Sequence, residues 1–496
     1  MKKYVISLDA GTTSNRAVIF HEDLDIKGIA QQEFTQIYPK PGWVEHDANE
    51  IWKTQYEVLQ QALKENKVLP SEIAAIGITN QRETTIIWDR STGEPISNAI
   101  VWQDRRTARL CQQLKEQGHT GMIKQKTGLV IDAYFSGTKI HWMLENLPGV
   151  RQRAENGELA FGTVETWLVW KLTNGKLHIS DVSNASRTML FNINTLDWDD
   201  ELLQLMDIPR TLLPKVVDSS ASYGLVDSEI LPGDIPIAGM AGDQQSSLFG
   251  QLCYEKGMVK NTYGTGCFVM MNTGSEPELS SENLLATIGW KIGDQVQYAV
   301  EGSIFVGGAL VQWLRDNLHM VQSASEIEKL AASVEDNGGV VIVPAFAGLG
   351  APHWDQFARG TMFGITRATT TAHIARATLE AIALQVKDAV DEMITSSGLT
   401  IKQLNVDGGA SVNDLLLQLQ ADLLACEVVR PKITETTALG AALLAGLAVG
   451  FWKDKDDIKK RWSVDQSFKP DNAADVSQMV KYWKKALERT RDWLEE

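Results

Sequence analysis

Cysteine is scarce in this chain. Its four cysteines among 496 residues, Cys111, Cys253, Cys267 and Cys426, are widely scattered with no C-x-x-C pair, which excludes a disulfide framework and a thiolate zinc site. Positive charge is also short, since 47 Lys and Arg against 63 Asp and Glu leave a net charge of −16. A nucleic-acid backbone needs clustered cations, so nucleic acid is excluded as the main partner. The longest apolar stretch, Ala438 to Trp452, is rich in Ala and Gly and falls short of the ~20 residues of a membrane span, so no integral membrane segment is expected and a buried helix is. Met1-Lys2-Lys3 precedes only a short apolar run before Asp9, too brief for the core of a secretory signal, and a cytoplasmic location is expected. The familiar nucleotide signatures are missing too. There is no G-x-x-x-x-G-K-[ST], no H-R-D with D-F-G, and Gly348-Leu349-Gly350 lacks the last Gly of a dinucleotide fingerprint.

What is present is an ordinary globular balance, 44% apolar and 22% charged residues. The length exceeds the ~250 to 300 residues at which one core stops growing, so at least two domains and a cleft are expected. Strand, turn and helix units recur throughout, which makes the fold class α/β. Tyr4 to Leu8 and Arg16 to Phe20 read as a hairpin around the turn Asp9 to Ser14, and Val259 to Met271 repeats the pattern around Tyr263-Gly264-Thr265-Gly266. Asp47 with Glu50 reads as a capping box opening a helix. The domain boundary is placed near residues 245 to 257, giving an N-terminal domain over 1–250 and a C-terminal domain over 251–496.

Four places carry chemistry. Asp9-Ala10-Gly11-Thr12-Thr13-Ser14 joins a carboxylate, a permissive glycine and three hydroxyls, a set that suits phosphate and hydrated Mg²⁺, with Arg16 returning alongside; the same residues also make a plain hairpin turn. Asp243, after the apolar strand Pro236 to Met240, sits where a strand end presents a carboxylate to a cleft, either as a base or as a helix cap. Arg82 and Glu83 lie in the polar break Thr79 to Thr84 and match the donors and acceptors of a diol, unless they form a surface ion pair. Asp407-Gly408-Gly409 leads into a helix through Asn413, so backbone amides face a ligand at the helix start.

Together these motifs resemble the FGGY carbohydrate kinases on the actin-like ATPase scaffold. The resemblance runs through Asn80-Gln81-Arg82-Glu83-Thr84, Trp102-Gln103-Asp104-Arg105-Arg106, Tyr134-Phe135-Ser136-Gly137-Thr138-Lys139, Gly242-Asp243-Gln244-Gln245, Asn261 to Phe268 and Ala345 to Pro352. It implies two actin-like (ribonuclease H-like) domains with ATP in the cleft between them. It also implies glycerol as the phosphoryl acceptor, bound by Arg82, Glu83, Tyr134, Asp243 and Gln244 and packed against Trp102 and Phe268, with Asp243 as the base. Nucleotide contacts are expected at Thr12, Thr13, Ser14, Arg16, Thr265, Gly308, Gln312, Gly409 and Asn413, and Mg²⁺ is expected to arrive with ATP near Asp9 and Asp243. Members of the family are commonly homodimers or homotetramers. The alternatives are another polyol or pentulose kinase, or an actin-like ATPase with no polyol substrate. Some bacterial members carry, in the region of residues 216 to 240, a loop that binds fructose 1,6-bisphosphate, and others a phosphorylated histidine; this stretch has no Arg, Lys or His, so neither form of regulation is expected there.

Overall fold

The computed structural model describes residues 2–471 and 476–494. Its first sheet starts from a hairpin of β1 (Tyr4–Ala10) and β2 (Ser14–His21), joined by β3 (Ile26–Glu33), β4 (Ile73–Asn80), β5 (Ser220–Leu225) and β6 (Pro236–Gly242) in the order β5-β6-β4-β1-β2-β3. β1, β4 and β6 run parallel and are buried on both faces, which is why they read as near-continuous apolar runs. β3, at the edge, instead alternates exposed positions with half-buried ones and the buried Ala30.

The second sheet contains β7 (Val259–Tyr263), β8 (Cys267–Gly274), β9 (Leu285–Ile292), β10 (Gln295–Ile304), β11 (Gln403–Asp407), β12 (Glu427–Pro431) and β13 (Val464–Phe468) in the order β9-β10-β8-β7-β11-β12-β13. It repeats the plan of the first. Each sheet has an antiparallel hairpin, an antiparallel strand beyond its second member, two parallel strands beyond its first, and an antiparallel strand at the far edge. The two hairpins noticed in the sequence are therefore equivalent positions in two sheets of one topology.

The helices between these strands include α1 (Ala48–Glu65), α2 (Asp243–Gly250), α3 (Gly308–Asp316), α4 (Thr371–Ser397), α5 (Asp414–Leu424) and α6 (Thr436–Ala448). Asp47 caps α1 by accepting from the amides of Asn49 and Glu50, but the capping box stays half made, because Glu50 turns its carboxylate to the amide and hydroxyl of Thr35. α6, although late in the chain, lies on the first sheet and on α2. A Cβ at Gly440 would stand 1.8 Å from Ser246 O, and one at Gly77 2.1 Å from Ala441 O, so only glycine permits this approach. Leu439, Ala442 and Leu443 of α6 share one core with Val5, Ala75 and Ala238 of the first sheet. Most of the apolar stretch that is too short for a membrane is thus a buried helix laid on the first sheet. Among the described residues no helix is long and apolar enough to cross a membrane, and all four cysteines are buried thiols.

Candidate active site

The two hairpin turns face each other across a cleft of ≈ 770 Å³ whose walls include Thr12, Thr13, Thr265 and Gly266. Gly11 N–H donates to Ser14 O at 3.0 Å, closing the first turn over Gly11–Thr13. The strands run further than the sequence pattern indicates, so Asp9 belongs to β1, in register with Arg16. Burial pushes the Asp9 carboxyl up to about 7; Arg16 opposes this, while Glu435 and Asp243 add to it. Arg16 itself pairs with Glu435 at 2.7 Å, at the start of α6. Ser14 Oγ accepts from Gln31 Nε2 at 2.9 Å.

On the opposite wall stands the second turn, with Gly308 and Gly409 beside it. Gly307 N–H donates to Thr265 O at 2.8 Å and Gly308 N–H to Gly264 O at 2.9 Å, which seats the start of α3 on the turn. Gly408, at φ 85°, packs so closely on Tyr263 that a Cβ would lie 2.5 Å from Tyr263 O, bringing Gly409 alongside. Asn413 caps α5 by accepting from Leu416 N–H at 2.8 Å, and Gln312 stands exposed on α3. Thr265, Gly308 and Gly409 therefore converge on one turn.

The residues expected to bind an acceptor meet in the same cleft. β4 ends at Asn80, and the break Gln81–Thr84 places Arg82 and Glu83 at its tip, with Glu83 at φ 62°. Neighbouring residues of a regular strand face opposite ways, and this backbone twist beyond the strand end lets both side chains reach one cleft. Arg82 Nε lies 3.1 Å from Asp243 Oδ1, and Arg82 Nη2 lies 3.3 Å from the Tyr134 hydroxyl. Asp243 is the first residue of α2, not its cap, and its Oδ1 also accepts from Gln244 N–H at 2.7 Å. Trp102 packs edge-on against Tyr134 with centroids 5.6 Å apart, and Phe268 lines the cleft nearby. Trp102 does a second thing as well: its Nε1–H donates to Thr12 Oγ1 at 3.0 Å, tying the acceptor wall to the first turn.

Sequence reasoning missed the residues behind this wall. Glu301, from β10 of the second sheet, grips Arg82 with both oxygens, at 2.5 Å and 3.0 Å. Arg187 donates to Glu83 at 2.6 Å and to Glu301 at 3.2 Å, and its guanidinium lies over the Tyr134 and Phe135 rings. All four charges are buried. Burial alone would push Glu301 up, yet Arg187 and Arg82 together hold it down to about 2; Glu83, with a smaller share of the arginines, is raised by its burial. Lys260 of β7 reaches Gln244 Oε1 at 2.5 Å and is lowered to about 8 by burial. For Glu301 the signal was a charged residue inside the largely apolar run Tyr298–Ile304; Lys260 sits in a buried strand whose neighbours Asn261 and Thr262 are polar, which hid it.

Comparison with known proteins places the chain in a family. A model of the FGGY family of carbohydrate kinases, N-terminal domain, matches residues 4–250, and its C-terminal domain counterpart matches residues 259–449. The chain belongs to the FGGY carbohydrate kinases. Among FGGY relatives it is 59% identical over 497 residues to the glycerol kinase of Oleidesulfovibrio alaskensis, covering 100% of both chains, and 58% identical to that of Deinococcus radiodurans, covering 99% and 98%. The crystal structure of Plasmodium falciparum glycerol kinase with ADP superposes with a TM-score of 0.91 at 38% identity, covering 98% of each chain. A gluconate kinase from Lactobacillus acidophilus shares the FGGY fold at 23% identity, with a TM-score of 0.86 and 99% and 97% coverage.

Proposed function

We propose that the chain transfers the γ-phosphoryl group of ATP to a terminal hydroxyl of glycerol, giving ADP and sn-glycerol 3-phosphate in the cytoplasm, as a homodimer or homotetramer. The observation that carries the reading is the ion pair of Arg82 with Asp243 in the cleft between the two turns. Full-length identity to two glycerol kinases supports the acceptor. Arg82 as donor, Glu83 as acceptor and the Tyr134 hydroxyl orient the vicinal hydroxyls, while Trp102 and Phe268 cover the carbon chain. Lys260 fixes the amide of Gln244, leaving its Nε2–H to meet an acceptor oxygen.

Asp243 orients the attacking hydroxyl and takes its proton as the new O–P bond forms and the bond from phosphorus to ADP breaks. Thr12, Thr13, Ser14 and Arg16 on one side and Thr265, Gly308, Gln312, Gly409 and Asn413 on the other hold the nucleotide. Among the described residues no three His, Cys, Asp or Glu side chains are arranged to hold a metal ion. The donor set at the first turn nevertheless fits Mg²⁺ carried by ATP: no hydrogen bond reaches the Asp9 carboxylate among the described residues, and Asp243 and Glu435 press on it electrostatically. Asp9 and Asp243 would hold that ion through water, and when bound it neutralises phosphate charge. A coupled ADP-release assay with glycerol, xylulose and gluconate tests the reading. Turnover with glycerol at least about a hundredfold above the others is expected, and equal or greater turnover with a sugar would overturn it.

A further inference from the structure

His46 lies just before α1 and is fully buried, with its ring edge-on to Phe34 at 5.0 Å between centroids. It touches two glutamines, and their other contacts fix its state. Gln36 Nε2 donates to Thr12 O at 3.1 Å and to Phe34 O at 3.3 Å, and Gln81 Nε2 donates to Gly11 O at 3.1 Å. Carbonyl oxygens only accept, so these contacts establish which end of each amide is nitrogen. Gln36 therefore presents Oε1 to His46 Nε2 at 2.8 Å, and Gln81 presents Nε2–H to His46 Nδ1 at 3.3 Å. The imidazole must carry its single proton on Nε2 and accept on Nδ1. Burial, which lowers His46 to about 4, agrees with a neutral ring.

Both ring nitrogens are thus spent on orienting two amides. Those amides hold the carbonyls of Gly11 and Thr12, successive residues of the first turn. Gln81 also joins that turn to the acceptor loop, because its N–H donates to Ala10 O at 2.7 Å and its Oε1 accepts from Thr84 Oγ1 at 2.9 Å. Arg82 is the next residue. We infer that His46 is a positioning residue for the Gly11–Thr13 turn, acting through Gln36 and Gln81 to hold it in its nucleotide-binding shape. The inference rests on reading that turn as part of the nucleotide site.

The test uses the full chain and calorimetric titration with ADP, which needs no acceptor, so a wrong choice of glycerol leaves the measurement intact. His46→Phe keeps the ring against Phe34 and removes both hydrogen bonds; Gln36→Met breaks the same brace from the cleft side. Each is expected to weaken ADP binding about tenfold while the KM for glycerol stays within about twofold. The double variant is expected to lose no more than the weaker-binding single, because the two residues act in series. If His46→Phe fails to fold, Gln36→Met alone carries the same expectation. Unchanged ADP affinity in a folded variant, a fall confined to the thermal midpoint, or fully additive losses in the double variant would overturn the inference.

Discussion

At Arg82 one guanidinium serves three carboxylates: Glu301 at 2.5 Å, Asp243 at 3.1 Å and Glu83 at 3.9 Å. Such sharing leaves Asp243 only one contact to the arginine, through Oδ1, so among the described residues Oδ2 is free for the proton transfer proposed above. Asp243→Asn keeps the shape and the hydrogen-bond reach but cannot take the proton. Its kcat is expected to fall about 10²- to 10⁴-fold while ADP affinity stays within a few-fold, checked by the coupled assay beside ADP titration. Glu301→Gln leaves two buried arginines short of one counter-charge. A loss of roughly 3 kcal/mol in unfolding free energy is expected, together with a KM for glycerol raised about tenfold, read from urea melts and initial rates. A KM that moves for ATP instead of glycerol would contradict the role assigned to Glu301.

At the scale of elements, the hairpins, the strand before Asp243 and the glycine turn at Gly408 were legible in the sequence, because each is a short-range pattern of apolar strand and turn residues. The charges behind Arg82 and Glu83 were not, since Arg187, which pairs with Glu83, and Glu301, which pairs with both arginines, stand 105 and 219 positions beyond Arg82 and only the fold brings them together. His46 was equally hidden, because a lone histidine before a helix carries no motif. The half-made capping box at Glu50 shows the same thing on a small scale: local pattern named the pair, and Thr35, from another element, took the carboxylate. The contact of α2 with α6 is also long-range, and it rests on backbone. Gly440→Ala places a methyl 1.8 Å from Ser246 O, a backbone atom that cannot swing aside. The helices must separate, costing roughly 1–3 kcal/mol, and a lower denaturation midpoint with a parallel fall in kcat is expected. Wild-type stability and rate in that variant would show that the helices adjust freely.

For the molecule as a whole, acid stability depends on buried groups of opposite sign. His178 donates from Nε2 to Phe161 O at 2.7 Å, and burial lowers it to about 4. Between its ordinary value near 6.5 and pH 4 the unfolded chain takes up a proton that the folded chain refuses, so this group removes stability as pH falls, by about 1.4 kcal/mol per pH unit at most. Glu165, raised to about 7 by burial, acts oppositely over part of that window, so the readout is a difference between two proteins. His178→Gln keeps a donor for Phe161 O without titrating. Its unfolding free energy is expected to fall less steeply from pH 6.5 to 4 than that of the wild type, and parallel slopes in urea melts would refute the assignment. The position of α6 reaches beyond the finished molecule, to its synthesis. The first sheet is complete in sequence at Gly242, yet the helix that covers Val5, Ala75 and Ala238 begins at Thr436. At about 5–20 residues per second a ribosome needs roughly 10–40 s to make the chain in between, and throughout that time one face of the earliest sheet is bare. Release of the nascent chain in that interval would expose an aggregation-prone surface, so the late helix makes the fold of the first half wait for the end of translation.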